Sequence, residues 1–210
     1  MIDRTEIVKV GANAPGSLFL DVAQIHKEVI SKGFLASFHK KALARFYLSV
    51  ATSPHSFLYI ARNSDQILGF ICGTSNTGAF YRSFFARHAI FAAPYAIVNL
   101  LSFKRIFSLL ETIAYPSRNI SINAIELPEN EILNFCVVEK ALRMGIGKLL
   151  FQALVDQFRN SGFREIKIVT GEDQVAAQQF YNDLDAVKVA EIEVHKGTRS
   201  IIFNYVISGS

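Results

Sequence analysis

Hydrophobic positions along this chain switch between two periods, and the switches mark out the elements. Thr5 to Val10 alternates as a short strand and stops at Gly11. Residues 17–30 take helical spacing, with Leu20, Ala23, Ile25, Val29 and Ile30 apolar, Ser17 placed to cap the start and Lys32-Gly33 to end it. Phe34 to Phe38 reads as a connection. Lys40 to Val50 reads as a second helix with Leu43, Phe46, Tyr47 and Val50 on one face, ended by Thr52-Ser53-Pro54. Two apolar runs, 57–61 and 67–73, flank Asn63-Ser64-Asp65 and predict a hairpin.

From residue 79 to 115 the pattern changes to a dense run of Phe, Ile, Leu and Ala, with Arg82, Arg87, His88, Lys104 and Arg105 interspersed. Pro94 divides it into two helices. Its longest uncharged run, Ala89 to Phe103, is shorter than the roughly 20 apolar residues a membrane-spanning helix needs. As a helical insertion it can pack on its own domain, wall an acceptor pocket, form a homodimer contact, or rest on a membrane surface. Ile120 to Leu127 and Ile132 to Val138 then predict a strand pair across Pro128-Glu129-Asn130. In 149–158, Leu150, Leu154 and Phe158 recur at helical spacing, and Asn160-Ser161-Gly162 is a stop. A strand at 165–170, a helix at 175–184 and two strands at 186–194 and 198–207 complete the chain. The order, β-α-α-β-β-insertion-β-β-α-β-α-β-β, implies a single domain over 1–210 of the α/β (mixed α+β) class. Its central sheet is expected to be mostly antiparallel, with helices on both faces and the insertion at 79–115.

Composition narrows the partners. The chain has 210 residues, half of them hydrophobic and 19% charged, so a full core is within reach and disorder is excluded. The net charge of +4 favours anionic ligands. Lys and Arg are scattered singly, which argues against nucleic acid as a partner. The two cysteines, Cys72 and Cys136, lie in apolar strand-like runs and read as buried thiols of a reducing compartment, without metal-site spacing. With no charged-then-apolar leader at its start, the sequence fits a soluble, bacterial-type cytoplasmic protein.

Candidate chemistry concentrates at residues 132–162, where an apolar strand feeds a glycine-bearing turn and then a long helix. The first N–H groups of a helix have no partner within it and carry about half a positive charge, and glycine lets an anion approach them. A phosphate site and a tight packing turn are both consistent with that pattern. A P-loop fails at Leu142 and Leu149, where Gly and Ser or Thr are needed. A dinucleotide fingerprint fails at Leu150 and at its position late in the chain.

The segment Leu142-Arg143-Met144-Gly145-Ile146-Gly147, followed by Lys148-Leu149-Leu150, resembles the GNAT family of N-acetyltransferases. In that family a strand, a Gln/Arg-x-x-Gly-x-Gly/Ala turn and a helix hold the pyrophosphate of acetyl-CoA. A second family motif, Asn-x-x-Ala-x-x-Phe-Tyr, is similar to Gln174-Val175-Ala176-Ala177-Gln178-Gln179-Phe180-Tyr181. The departures are Leu142 for Gln or Arg, Gln174 for Asn, and Asp185-Ala186 for the Gly-Phe that follows the second helix. The resemblance is specific over 131–207, generic over 1–76, and leaves 79–115 outside.

It implies an acyl-CoA N-acyltransferase domain with a splayed pair of central strands. The backbone of Asn134 to Val138, including Cys136, Val137 and Val138, would hydrogen-bond the pantetheine arm. Arg143, Met144, Gly145, Ile146, Gly147 and Lys148 would cradle the pyrophosphate, with Gln174 and Tyr181 completing the cofactor-binding set. The implied reaction is direct attack of a primary amine on acetyl-CoA, the acetyl-donor cosubstrate, with no metal. Tyr181 matches the general acid that protonates the leaving thiolate; its rival reading is a core aromatic beside Phe180. Glu126, Glu131 and Asn134 are candidates to take the amine's proton or position a water, each against the plainer reading of a solvated strand-end residue. The acceptor is expected to be a small molecule, an amino sugar or a nucleotide-linked amino sugar. The alternative is a catalytically silent acyl-CoA-binding or membrane-surface module with the same fold.

Overall fold

In the computed structural model, which describes residues 5–31, 35–64, 66–88, 127–195 and 198–208, seven strands form one sheet in the order β1-β2-β3-β4-β5-β7-β6. In chain order the elements are β1 (Glu6–Val10), α1 (Gly16–Val29), α2 (Lys40–Thr52), β2 (Ser56–Arg62), β3 (Ile67–Thr74) and α3 (residues 77–88). They continue with β4 (Glu131–Val137), α4 (Ile146–Asn160), β5 (Glu165–Gly171), α5 (Val175–Asn182), β6 (Val187–His195) and β7 (Thr198–Val206). Every neighbouring pair is antiparallel except β4 and β5. The expected mixed class and mostly antiparallel sheet are what is seen.

Helices cover both faces, which is why β3 reads as one continuous apolar run rather than an alternating one. On one face Phe19 and Val22 of α1, Leu43, Phe46 and Tyr47 of α2, and Phe80 and Phe84 of α3 pack on Leu58, Ile60, Phe70, Cys72 and Cys136. On the other, Leu150, Phe151, Leu154 and Phe158 of α4 and Tyr181 of α5 pack on Ile71, Ile132, Ile166, Ile168 and Phe203. Both cysteines are buried free thiols. Two glycines of β3 set the depth at which α4 lies. A Cβ at Gly73 would meet Phe158 and Glu131 O at 2.9 Å each, and one at Gly69 would meet Cys136 O at 2.6 Å and Leu150 at 3.3 Å. Only hydrogen at these positions lets β4 pair with β3 while α4 presses on both.

Several expectations change. α1 starts at Gly16 after an extended Pro15, and no side chain caps it, so Ser17 is inside the helix rather than at its cap. α2 continues through Thr52, whose hydroxyl bonds back to Leu48 O, and its true cap is His39, whose side chain accepts from Ala42 N. β4 pairs antiparallel with β3; of the strand expected at 120–127, residues 120–126 lie outside the described residues. Of the segment at 79–115, residues 79–88 belong to α3 and the rest, with Pro94, lies outside the described residues. No helix among the described residues is long and apolar enough to cross a membrane.

The turn after α5, where glycine is absent, is closed by Asp185 at φ 62°. Ala186 N then bonds Tyr181 O and Asp185 N bonds Asn182 O, and Ala186 is buried. An L-residue pays about 1 kcal/mol in this left-handed region, least for Asp and Asn. Asp185→Gly is therefore expected to raise the unfolding free energy by about 0.5–1 kcal/mol in urea titration, and Asp185→Val to lower it by more than that.

Candidate functional site

Pairing between β4 and β5 is confined to Glu131↔Lys167 and Ile132↔Ile168. Beyond that point β4 continues along β3 to Val137, with Val138 N bonded to Leu68 O, while β5 turns to β7 along its whole length. The two facing edges separate and leave a V-shaped gap. A bulge accompanies the parting: Gly73 pairs Ile132 and Cys72 pairs Asn134, so Leu133 is an extra residue on β4. Bulges re-aim a strand, and this one sits one residue past the last β4–β5 pair.

At the gap's open end lies the glycine turn. Leu142 is extended, Arg143 stands at φ 62°, and Gly145 stands at φ 79° as the cap of α4. A Cβ at Gly145 would touch nothing within 4 Å, so glycine is used there for its conformation, not for space. Leu149 N makes the first helical bond, to Gly145 O. The six preceding main-chain N–H groups, Arg143 to Lys148, meet no acceptor among the described residues. Six consecutive free donors with backbone of alternating φ sign form a concavity suited to an anion. Lys140, Arg143 and Lys148 are exposed around it. Leu142 and Met144 are exposed as well, at 54% and 62%, and bring no charge to the turn.

The two sequence motifs meet here. A Cβ on Gly147 would stand 3.3 Å from Phe180 and 3.5 Å from Phe135, whose rings are in edge contact at 5.4 Å. The N-terminus of α4, the middle of β4 and α5 thus converge on one corner of the gap. Tyr181, the next residue, is 5% exposed, with its ring among Phe151, Phe180 and Phe203. Burial, and secondarily the nearby Cys136 thiol, push its phenol well above the usual value, so it carries its proton at neutral pH. Gln174 precedes α5, and its amide oxygen accepts from Thr170 at 2.9 Å.

The remaining predicted residues are placed as follows. The side chain of Cys136 points into the core under α1 and α2, so only its backbone faces the gap, and burial pushes its thiol up. Val137 and Val138 are half-buried beside α4. Asn134 lies at the bulge opposite Cys72, with its buried side-chain amide turned to the Cys72 thiol and no other partner for Nδ2 among the described residues. Glu131 takes part in an ion pair with Lys167 and accepts from Thr77 at the root of the gap. Glu126 lies outside the described residues. Lys167, Thr77, Gly69 and Gly73 were not singled out by the sequence pattern, though each shapes the gap. Among the described residues no group of His, Cys, Asp or Glu is placed to hold a metal ion. A cleft of about 800 Å³ lies away from the gap, between α1 and the β2–β3 turn, lined by Glu6, Asp21, Arg62 and Gln66.

No curated protein matches the chain. Solved structures that resemble it include Ard1 from Thermoplasma volcanium, at 13% identity and a TM-score of 0.61, covering 98% of this chain and 99% of that one. Another is Arabidopsis thaliana NAA60 in complex with acetyl-CoA, at 16% identity and a TM-score of 0.59, covering 98% and 100%. A third is the ribosomal-protein-S18-alanine N-acetyltransferase from Escherichia coli, at 11% identity and a TM-score of 0.58, covering 99% and 96%. At these identities the likeness is one of fold. The sequence model of the acetyltransferase (GNAT) family matches residues 109–185, the stretch that holds β4, the glycine turn, α4 and α5. That match falls on the strand, turn and helices that build the gap, and over those residues the chain is similar to the GNAT family of acetyltransferases.

Proposed function

We propose that the protein transfers the acetyl group of acetyl-CoA to the primary amine of a small molecule. The observation that carries the donor is the row of six unpartnered amides from Arg143 to Lys148 at the mouth of a gap whose β4 edge is free from Leu133 onward. The residues fit the group: an anion gains charge-assisted bonds worth about 1.5–3 kcal/mol each from such amides, and an extended amide-bearing chain matches a free strand edge. Acetyl-CoA, when bound, supplies the acetyl thioester. The amides of 143–148 and the cations Arg143 and Lys148 hold its phosphates, and the backbone of Asn134 to Val138 orients the arm.

Tyr181 holds a proton at Oη in a dry, aromatic setting and releases it to the departing sulfur. Its raised pKa means that the proton is present at neutral pH. Asn134, whose side chain lies at the bulge beside Cys72, is the polar group of β4 that would fix a water or the amine. The acceptor is proposed as a small amine from the net charge and the basic, aromatic run at 79–115. The Escherichia coli relative named above acts on a protein's alanine, so the test panel includes peptides.

Titration calorimetry with acetyl-CoA, then thiol release across amino sugars, polyamines and short peptides, tests the reading. Binding in the micromolar range and turnover on a small amine are expected. Heat signals no larger than buffer would refute the donor; turnover on peptides alone would move the acceptor and leave the donor standing. Tyr181→Phe is expected to lower kcat by about 10² or more with acetyl-CoA affinity nearly unchanged, since only the proton is removed. Undiminished kcat in that variant would make Tyr181 a core aromatic.

A further inference from the structure

Lysine is almost never fully buried unless it is paired. Lys167 is 5% exposed, and its Nζ stands 3.1 Å from Oε2 of Glu131, which is itself well buried. The pair is not placed at random in the sheet. Glu131 and Lys167 are direct cross-strand partners, one of only two such pairs that join β4 to β5, and the backbone adds Lys167 N to Asn130 O at 3.1 Å. Past Ile132 and Ile168 the strands separate. Thr77 Oγ1 lies 3.0 Å from the same Oε2 and 3.1 Å from Glu129 O, so its one proton serves one or the other, and Thr77 N–H bonds Glu129 O at 3.1 Å. Thr77 begins α3, the helix that leads into the segment beyond residue 88.

A short parallel ladder at the edge of an opening is weak by itself, because it has two residue pairs and no further register to hold it. A buried ion pair supplies what the ladder lacks in two ways. Removing either partner strands a desolvated charge, at a cost of several kcal/mol, so the pairing is strongly held once made. It also defines register, because a slip by one residue carries a strand side chain to the opposite face. The mouth of the gap is fixed separately, by the seating of α4 on Gly69 of β3, which pairs Val137. Its root is fixed by the clasp. From Glu131 to Val138 is about 20 Å of strand at about 3.3 Å per residue, and a shift of the vertex by one pair changes that reach by about 3 Å.

We propose that Lys167 is a positioning residue: paired with Glu131 and backed by Thr77, it fixes the point at which β4 and β5 part. It thereby sets the reach of the gap between the α4 amides and its root. This rests on the gap being the acetyl-CoA site. The role belongs to the pair and not to either charge in its present place, since Thr77 can donate to a carboxylate or accept from an ammonium at residue 131.

The test is acetyl-CoA affinity by calorimetry on the full chain, with a melting curve for each variant. Lys167→Met is expected to weaken acetyl-CoA binding by tenfold or more. Lys167→Arg, and the exchange Glu131→Lys with Lys167→Glu, are expected to return it to within about threefold of the wild type. Lys167→Met with a lowered Tm but wild-type affinity would reduce the pair to a stabilising contact and overturn the proposal. Should Lys167→Met not fold, the exchange decides: wild-type affinity supports the clasp, and a folded exchange tenfold weaker, or one that does not fold, overturns it. Failure of the wild-type protein to bind acetyl-CoA would remove the site reading first, and the clasp's purpose with it; failure of the clasp alone leaves wild-type binding intact.

Discussion

Gly69→Ala is expected to lower Tm by about 6–12 °C and to weaken acetyl-CoA binding together with it. The added methyl would stand 2.6 Å from the carbonyl oxygen of Cys136 and 3.1 Å from the Cα of Val137, both backbone atoms of the paired strand. Neither can rotate away as a side chain would. Either β3 and β4 move apart at Gly69↔Val137, or α4 lifts off the sheet with Leu150, whose methyl lies 3.3 Å away. Overpacking of this kind costs about 1–3 kcal/mol, and contact with backbone puts this site at the upper end. For a chain of this size each kcal/mol moves Tm by about 2–4 °C. The functional loss follows from position, because Val137 and Val138 end the free edge that leads to the glycine turn. Gly16→Ala is the matching control: nothing lies within 4 Å of that Cβ and the residue opens α1, so Tm should hold or rise. A melting curve for Gly69→Ala superimposable on the wild type would show that β3 and β4 are not in the close contact described.

Much of the architecture was legible because periodicity survives wherever one face is buried. The 3.6-residue recurrence of Leu150, Leu154 and Phe158 and the β-branched run around Ile166 and Ile168 both sit in the core under α4 and α5. Helix starts were less legible, because a side chain able to cap does not by itself fix where the helix begins. Ser17 has the right side chain, yet Pro15 takes the extended conformation one residue before the helix and no side chain bonds the free amides. The pairing of β4 with β3 was not legible, because β3 lies more than fifty residues earlier in the chain.

At the site, the turn and its order after a strand were readable, and so was the downstream helix ending in Phe180-Tyr181. The reason these two stretches serve one gap was not, because Gly147 and Phe180 meet only in space. Asp185 shows the limit from the other side. The family pattern has glycine at that turn; Asp185 stands in the left-handed conformation there, which Asp tolerates better than most residues. Lys167 stayed hidden for a plain physical reason. In an alternating strand it falls on the face away from Ile166 and Ile168, which in a sheet with one wet face would be solvent. Here helices cover both faces, so the same alternation buries it and requires Glu131.

Unfolding free energy is expected to fall by up to about 3 kcal/mol as pH drops from 7 to 4, through one side chain in α1. His26 is 0% exposed, and its Nδ1 lies 2.5 Å from the hydroxyl of Tyr47. Burial pushes the Tyr47 phenol far up, so its hydroxyl keeps its proton and donates, which leaves Nδ1 as acceptor and the ring proton on Nε2. Nε2 is buried and meets no partner among the described residues. To become an imidazolium, His26 would have to place a full charge in this core and turn Tyr47 from donor to acceptor. Burial first, and Lys27 second, accordingly hold its pKa down to about 4 from 6.5. The unfolded chain binds the proton below 6.5 and the folded chain only near 4, so the stabilisation is complete above about 6.5 and is lost as pH falls through 4. At 1.36 kcal/mol per unit the full span is about 3 kcal/mol. Carboxylates titrate in the same range, so the quantity to measure is the difference in urea unfolding between wild type and His26→Gln at pH 7, 6, 5 and 4.5. Glutamine cannot ionise, and the variant should be less stable at pH 7 and lose that deficit as pH falls. A difference that stays constant across the series would mean that the imidazole is not held neutral beneath α1. Because α1 packs on β3 and β4, loss of that face at low pH would also loosen the strand that lines the gap.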